Sequence, residues 1–503
     1  MEKFRKAYFQ IRNILTSPNN HDVIFLLGLR RVGKSYALKQ LATDKEYKGL
    51  YINFRELLRA GCPKNKLVDH IIDSFDSDAD WILLDEVCYI PEYDIALRNI
   101  DREIAEEGKK IVITGTAYES LKNLASAELG GRSQVVEMFP LSFEEYLYFS
   151  GKINSYGEQY EPSVEDVHDF YRMKNLPAGM NLIIDRTYMN DLFNEIDNSK
   201  RGGIYLGGFA SSLTRKQYQC IADLIAYSLN YANKVNRLVD PHSTPTAMQE
   251  YGGKKLRALG GTPLFNQAIV QFAKDGVQGL TILDISKMLM FMLSAGFLFV
   301  DTRMSLEGAD NPDTIISNLV QVKTQADLEA VLERQGISVI SPLLYSRLMV
   351  DLESLSGEEA TGTYGQLYEL AIKAEDIFRQ GYAHIHSSYK YDESTVLSQS
   401  INEVDLVAYE SDCNDGWAPT RDGRLLLEAT VSRKAPVDGK GQTRHNLKKV
   451  YPDQMFTRVV TDTEITEKRS CYHMIAYPKA LLMLSNGSIF NLEQSTASGF
   501  PEQ

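Results

Sequence analysis

The chain has 503 residues, 44% hydrophobic and 24% charged, with 54 Lys and Arg against 67 Asp and Glu for a net charge of −13. That length suggests about three domains, and the ordinary composition excludes a wholly disordered, collagen-like or disulfide-scaffold chain. The acidic balance argues against a molecule coated all over in nucleic acid, while leaving room for a local basic patch.

The five cysteines, Cys62, Cys88, Cys220, Cys413 and Cys471, are far apart and form no C-x-x-C pair. A zinc or redox motif is therefore not expected, and a reduced, cytoplasmic setting is the simplest reading. The first residues, MEKFRKAYFQIRNIL, are amphipathic with charges inside the apolar stretch, unlike a signal peptide. The most membrane-like stretch, Leu280–Val300, holds Asp284 and Lys287 and breaks at Gly296. It reads as a helix, a glycine cap and a short strand rather than a span, so no membrane partner is expected.

Over residues 1–150 strand-like and helix-like segments alternate. Asp22–Leu27 is an apolar run entering a glycine-rich loop, and Ser35–Leu41 reads as a helix. Gly49–Phe54 is a strand, Lys66–Phe75 a helix, Trp81–Leu84 a strand that stops in acids, Tyr93–Glu107 a helix and Lys110–Thr114 a strand. This alternation predicts an α/β fold with a parallel, doubly wound sheet. Residues 151–345 look mainly helical. The helix–glycine–strand run before Val300 is what a winged-helix domain shows, and is also common in plain α/β packing. Residues 346–503 form a third region. Helix Tyr364–Phe378 precedes strand candidates near Tyr382–Ser388, Glu403–Tyr409 and Arg424–Thr430, then a basic helix near His445–Tyr451 and strands Arg458–Thr461 and Tyr472–Ala476. No repeat of fixed period and no low-complexity tract is evident.

Gly28-Leu29-Arg30-Arg31-Val32-Gly33-Lys34-Ser35 matches G-x-x-x-x-G-K-[ST] between a strand and a helix. The glycines let successive N–H groups turn toward phosphate oxygens, and the helix N-terminus adds partial positive charge. Gly28, Arg31, Gly33, Lys34, Ser35 and Tyr36 are the candidate ATP contacts. Lys34 is expected at the β- and γ-phosphates and the Ser35 hydroxyl on Mg²⁺. The apolar strand Trp81-Ile82-Leu83-Leu84 then ends in Asp85-Glu86, about fifty residues after Lys34. Asp85 is the expected holder of the Mg²⁺ water shell, and Glu86 the group that orients or deprotonates the attacking water. Ile111-Val112-Ile113 ends in Thr114-Gly115-Thr116. Either threonine is a candidate for bonding the γ-phosphate or the attacking water, Thr114 being taken as the catalytic one; the alternative is a helix cap. Arg132, after Gly130-Gly131, is a candidate γ-phosphate contact in cis or from a neighbouring subunit, the alternative being a surface arginine.

These pieces occur in an order that resembles one family. They are Gly28–Ser35, Leu83–Val87 followed by Ile90-Pro91, Thr114–Thr116, Gly131-Arg132, and Phe139-Pro140-Leu141-Ser142-Phe143-Glu144-Glu145. The family is the prokaryotic AAA-superfamily ATPases that carry a C-terminal domain of unknown function with a restriction-endonuclease-like core. Leu176-Pro177-Ala178-Gly179 and Ile282–Phe299 resemble it in pattern only. The resemblance implies an N-terminal ATPase domain, a helical lid with a winged-helix-like middle, and a nuclease-like end.

In the last region Glu369 lies on the helix Tyr364–Phe378, Asp405 within Glu403–Val407, and Glu428 ends Leu425–Glu428. Helix Glu, strand Asp, strand Glu is the layout of a PD-(D/E)xK nuclease core, whose two strand acids hold Mg²⁺. Asp405 and Glu428 are therefore the candidate second metal site. The lysine expected two residues after the second acid is Thr430 here, which counts against cleavage; Lys434 and Lys448 are candidate substitutes. Residues 433–449, RKAPVDGKGQTRHNLKK, hold six Lys or Arg against one Asp. The run is either a phosphate-neutralising surface or a solvated face. Tyr389 and Tyr391 are candidates for stacking on bases, weak ones in a chain with 28 tyrosines. Three functions stay open: an ATPase acting on nucleic acid or protein, an ATP-dependent switch for a protein partner, and an ATP-gated nuclease, with a homo-oligomer compatible with each.

Overall fold

The computed structural model describes residues 2–17, 23–93, 95–97, 109–116, 118–127, 133–177, 180, 184–201, 209–238, 264–301, 304–305, 308–309, 313–334, 336–339, 370–376, 378, 389–392, 401–404, 406–409, 424–430, 456–460, 467–469 and 472–491. The chain opens with α1 (Lys6–Thr16), β1 (Val23–Leu27), α2 (Lys34–Ala42), β2 (Gly49–Asn53), α3 (Phe54–Arg59), α4 (Leu67–Phe75) and β3 (Trp81–Asp85). It continues through β4 (Lys110–Thr114), α5 (Tyr118–Ala127), β5 (Ser133–Glu137), α6 (Phe143–Ser150), α7 (Val164–Tyr171), α8 (Arg186–Arg201) and α9 (Arg215–Leu238). Next come α10 (Leu264–Lys274), α11 (Ile282–Ser294), β6 (Leu298–Asp301), β7 (Met304–Ser305), β8 (Gly308–Ala309), α12 (Asp313–Gln321), α13 (Gln325–Arg334) and β9 (Gly336–Val339). The last elements are β10 (Tyr389–Asp392), β11 (Ile401–Val404), β12 (Leu406–Tyr409), β13 (Arg424–Thr430), β14 (Phe456–Val460), β15 (Glu467–Arg469), β16 (Tyr472–Ala476) and α14 (Tyr477–Asn486).

The chain divides into two compact units, each assembled from separate stretches. One is Met1–Pro140 with Ala178–Ile221 and Lys287–Phe297; the other is Leu141–Pro177, Ala222–Ser286 and Leu298–Gln503. The sequence boundary at 150 and the packing boundary at 140/141 thus lie on either side of α6.

The first unit is built on a five-stranded sheet in the order β2-β3-β4-β1-β5, parallel at every pairing. Its inner strands are continuous apolar runs because both faces are covered: all five residues of β1 and of β3 are buried. The expected doubly wound sheet is therefore present. Strand β5, which the sequence pattern does not flag, is an edge strand with only Val136 buried. With one buried residue it lacks the apolar signal its neighbours carry. β1 is flanked by β4 and β5 while β2 lies across the sheet, so the strand order reverses beside β1. In open α/β sheets that reversal opens a crevice at the carboxyl ends of the strands.

In the second unit, β12-β13-β14-β16-β15 form a mixed sheet, with β13, β14 and β16 parallel and β12 and β15 antiparallel to their neighbours. β13 and β16 occupy the segments read as strands. The helix α14 that follows is missed by the sequence reading, although Pro478 at its start and Gly487 past its end are ordinary helix signals. The run read as helix, glycine and strand forms α11, a left-handed Gly296 and β6. The acidic Pro-Leu-Ser-Phe-Glu-Glu segment starts α6 with a capping box between Ser142 and Glu145. Two further donors at that helix end are met from distant parts of the same unit. The Phe143 N–H donates to Glu375 at 2.7 Å and the Glu144 N–H to the Ser485 hydroxyl at 3.3 Å. Glu145, Glu375 and Ser485 thus satisfy N–H groups at a buried helix end, while the buried Glu144 carboxylate accepts from the Gly157 N–H at 2.7 Å.

Candidate phosphate-binding site

The loop between β1 and α2 needs its glycines. Gly28 has φ +153°, and a Cβ there would lie 2.2 Å from the Met138 carbonyl oxygen. Gly33, at φ +108°, is the N-terminal cap of α2. Arg31 also adopts a left-handed conformation, at φ +68°. The loop is held from outside by Arg5, whose guanidinium donates to the carbonyls of Val32 and Phe139, both at 2.8 Å. The Lys34 ammonium turns back over the loop and donates to the carbonyls of Gly28 at 2.8 Å and Leu29 at 2.9 Å. Burial pulls its pKa below the ordinary lysine value, against the opposing pull of Glu86 and Asp85. Ser35 follows in the first turn of α2, and the Tyr36 ring beside it is exposed.

Asp85 ends β3 and is buried. Its register partner on β2 is Asn53. The Asn53 amide donates to Asp85 Oδ2 at 2.7 Å and the Tyr51 hydroxyl donates to the same oxygen at 2.6 Å. Burial, then the bond to Asp85, push the Tyr51 hydroxyl pKa up. Glu86 takes a left-handed conformation, φ +58°, of the kind that concentrates at functional sites. The Thr116 hydroxyl donates to Glu86 Oε2 at 2.8 Å. Thr114 is fully buried, and its hydroxyl has no hydrogen-bond partner among the described residues. Of the two candidate threonines, then, Thr116 is the one joined to Glu86. Gly115 between them is closed in by Cys88, whose sulfur would be 2.6 Å from an added Cβ. Arg132 lies outside the described residues.

Sequence reasoning missed the far side of the site. Helix α8 presents Tyr188, Asp191 and Glu195 at helical spacing, which places them on one face. The Tyr188 hydroxyl donates to the Arg30 carbonyl at 3.2 Å. The Arg31 guanidinium lies over the Tyr188 ring at 5.5 Å and pairs with Asp191 at 3.1 Å. Glu195 pairs with Arg30 at 2.9 Å and with Arg55 of α3 at 3.1 Å. These are ion pairs without hydrogen-bond alignment, for among the described residues neither Glu195 oxygen nor Arg30 Nη1 makes a hydrogen bond. Burial pushes the Glu195 carboxyl above the ordinary range; Arg30 and Arg55 pull it back, and Glu86 pushes it further. Burial also lifts Tyr89, beside Arg55, to about 12. The period of α8 is visible in the sequence, but nothing there links it to arginines so distant.

Among the C-terminal candidates, Glu369, Asp405 and the basic run 433–449 lie outside the described residues. Glu428 is on β13 in register with Arg458 of β14, and Thr430 with Val460. Tyr389 and Tyr391 are on β10, in register with Val404 and Asn402. Among the described residues no helix is long and apolar enough to cross a membrane.

Residues 20–147 match the family described as an AAA domain. A segment of 143 residues, 26% of this chain, is 28% identical to the uncharacterized protein MJ1544 of Methanocaldococcus jannaschii, and covers 29% of that protein's length. AMPPCP-bound DnaA from Aquifex aeolicus aligns with 56% of this chain and 82% of its own, at 16% identity and a TM-score of 0.27. The replication initiator DnaA bound to AMPPCP and single-stranded DNA aligns with 57% and 83%, again at 16% identity and 0.27. Residues 20–147, the part that matches the AAA domain, hold the loop, Asp85, Glu86 and Thr116, which supports a nucleotide-binding ATPase domain in this part of the chain.

Proposed function

We propose that the protein is an Mg²⁺-dependent ATPase whose nucleotide state is coupled to the C-terminal region. The observation that carries this reading is the Thr116–Glu86 hydrogen bond of 2.8 Å at the end of the strand beside Lys34. A carboxylate held there suits deprotonation of water. The loop N–H groups and Lys34 bind the β- and γ-phosphates, which requires Lys34 to leave the carbonyls of Gly28 and Leu29. Ser35 and Asp85 Oδ1, which takes no hydrogen bond from the described residues, fit the Mg²⁺ that accompanies ATP, an ion usually held by one or two carboxylates together with phosphates and supplying charge neutralisation. Tyr51 and Asn53 fix the Asp85 carboxylate. Glu86 accepts a proton as the water oxygen attacks the γ-phosphorus and the bond to the bridging oxygen breaks, giving ADP and phosphate. Arg132 is the proposed γ-phosphate contact, in cis or across a homo-oligomer.

The C-terminal partner in this proposal is nucleic acid, read from the six basic residues of 433–449 and not from any contact. Thr430 disfavours cleavage, so binding without cutting is the expected state of Glu369, Asp405 and Glu428. Phosphate release from ATP, measured with and without double-stranded DNA, single-stranded DNA and RNA, tests both halves. Hydrolysis should be lost in Lys34→Ala, and turnover should respond to nucleic acid. Hydrolysis at the wild-type rate in Lys34→Ala sinks the ATPase reading. Indifference to all three polymers, with no binding at low salt, leaves a protein partner.

A further inference from the structure

The site described above contains charged groups beyond those that ATP hydrolysis uses. Lys34, Arg30 and Arg55 stand against Asp85, Glu86 and Glu195. Asp85 and Glu86 have assigned tasks in the reaction; Glu195 has none. It is a mostly buried carboxylate that reaches from α8 to Arg30 of the phosphate loop. Burying a carboxylate is costly unless it is both paired and hydrogen-bonded. Glu195 is paired, at 2.9 and 3.1 Å, but among the described residues neither oxygen has a hydrogen-bond donor and the buried Arg30 Nη1 has no acceptor. The arginines therefore have an anion but not a well-aligned one. A phosphate offers three oxygens to a guanidinium and can take a bidentate fork. A nucleoside triphosphate also brings net negative charge into a set of groups that is already balanced, which disfavours the one carboxylate without a role.

We propose that Arg30, Arg55 and Glu195 form a subsite responsive to the terminal phosphate: Glu195 holds the two arginines in place of that phosphate, and the γ-phosphate of a bound nucleoside triphosphate takes them from it. Arg30 and Arg55 are then cis ligands of the γ-phosphate, and Glu195 is a positioning residue. Because Glu195 sits on α8, losing its partners loosens that helix from the loop, so α8 reports triphosphate against diphosphate. This inference rests on the nucleotide-binding reading given above.

The test is binding of ATP and ADP to the full chain by calorimetry, combined with amide hydrogen exchange over residues 186–201. Glu195→Gln keeps shape and removes the competing charge. It should tighten ATP about tenfold, or about 1.4 kcal/mol, and ADP by less than about threefold. In the wild type, ATP but not ADP should speed exchange over 186–201, and in Glu195→Gln exchange should be fast without nucleotide. Equal shifts for ATP and ADP, no shift for either, or exchange in the wild type that ignores ATP overturns the proposal. Should Glu195→Gln fail to fold, Arg55→Gln decides: ATP about tenfold weaker with ADP nearly unchanged supports it, and equal weakening overturns it. A wild-type protein that binds neither nucleotide removes the ATPase reading itself; one that binds both, with variants behaving alike, removes only this subsite.

Discussion

The phosphate loop and helix α8 meet at one site, yet they are specified in different ways. The loop is a local object: two glycines, a lysine and a serine between a buried strand and a helix dictate its form, and its backbone does the work whatever the remaining side chains are. Helix α8 is specified by partners elsewhere. Its Asp191 and Tyr188 meet the loop across 160 and 158 residues of sequence, and taken alone it is an ordinary polar helix. A site can thus be half written in a motif and half in the packing of the chain. The two halves also differ in tolerance: backbone geometry accepts no substitute, whereas a charge contact can be weakened by degrees.

The largest effect is expected where the loop's backbone is least forgiving. Gly28→Ala places a Cβ against the Met138 carbonyl at 2.2 Å in a conformation side chains rarely adopt. Backbone cannot yield as a flexible side chain would, so we expect a loss of about 3–4 kcal/mol of stability together with nucleotide binding. Thermal unfolding with and without ATP measures it, and a variant that unfolds within about 2 °C of wild type would mean that the loop can move aside.

Next in size is Glu86→Gln, which keeps the side chain's shape and its Thr116 partner but cannot take a proton. Turnover should fall by at least ~10² while ATP still binds. If affinity collapses instead and turnover per bound ATP is unchanged, Glu86 supports the fold and the hydrolytic half of the comparison belongs to another residue.

What was legible follows the same division. The parallel sheet, the loop and the acidic strand end could be read because each is a continuous run with its own period. Strand β5 could not, since an edge strand with one buried residue shows no apolar run. The choice between Thr114 and Thr116 was not legible either: one ends β4 and the other lies two residues beyond it, and only the three-dimensional placement of Glu86 separates them. Glu195 and Arg55 carried no signal at all, because a single acid and a single arginine on separate helices are the commonest of surface residues until packing brings them together. The Pro-Leu-Ser-Phe-Glu-Glu segment shows a milder form of this. Its capping box is readable from Ser142 and Glu145, while its docking to Glu375 and Ser485 depends on residues hundreds of positions away.

On the α8 side, the raised Glu195 pKa gives a pH test of smaller size. The folded protein binds that proton more tightly than the unfolded chain does. The stabilisation from it is complete below the ordinary carboxylate range and disappears as pH rises through the raised value. Glu195→Gln carries no such proton, so its stability relative to wild type should climb over that window and level off above it. Parallel curves of unfolding free energy against pH would show that Arg30 and Arg55 fully offset the burial.

The smallest effect is expected from the other acid of α8. Asp191 pairs with Arg31 at 3.1 Å, but both side chains are more than two-fifths exposed, where water screens the attraction and holding two side chains still costs entropy. The Arg31 guanidinium also keeps the face of Tyr188 if Asp191 is changed. Asp191→Asn should therefore cost under about 0.5 kcal/mol, and the loss should shrink further in 0.5 M salt. Double-mutant cycles with Arg31→Gln isolate the pair from its surroundings. A coupling above about 1 kcal/mol would mean that α8 is pinned to the loop at its exposed rim as well as at Tyr188 and Glu195, and the triphosphate would then have a further contact to break to move it.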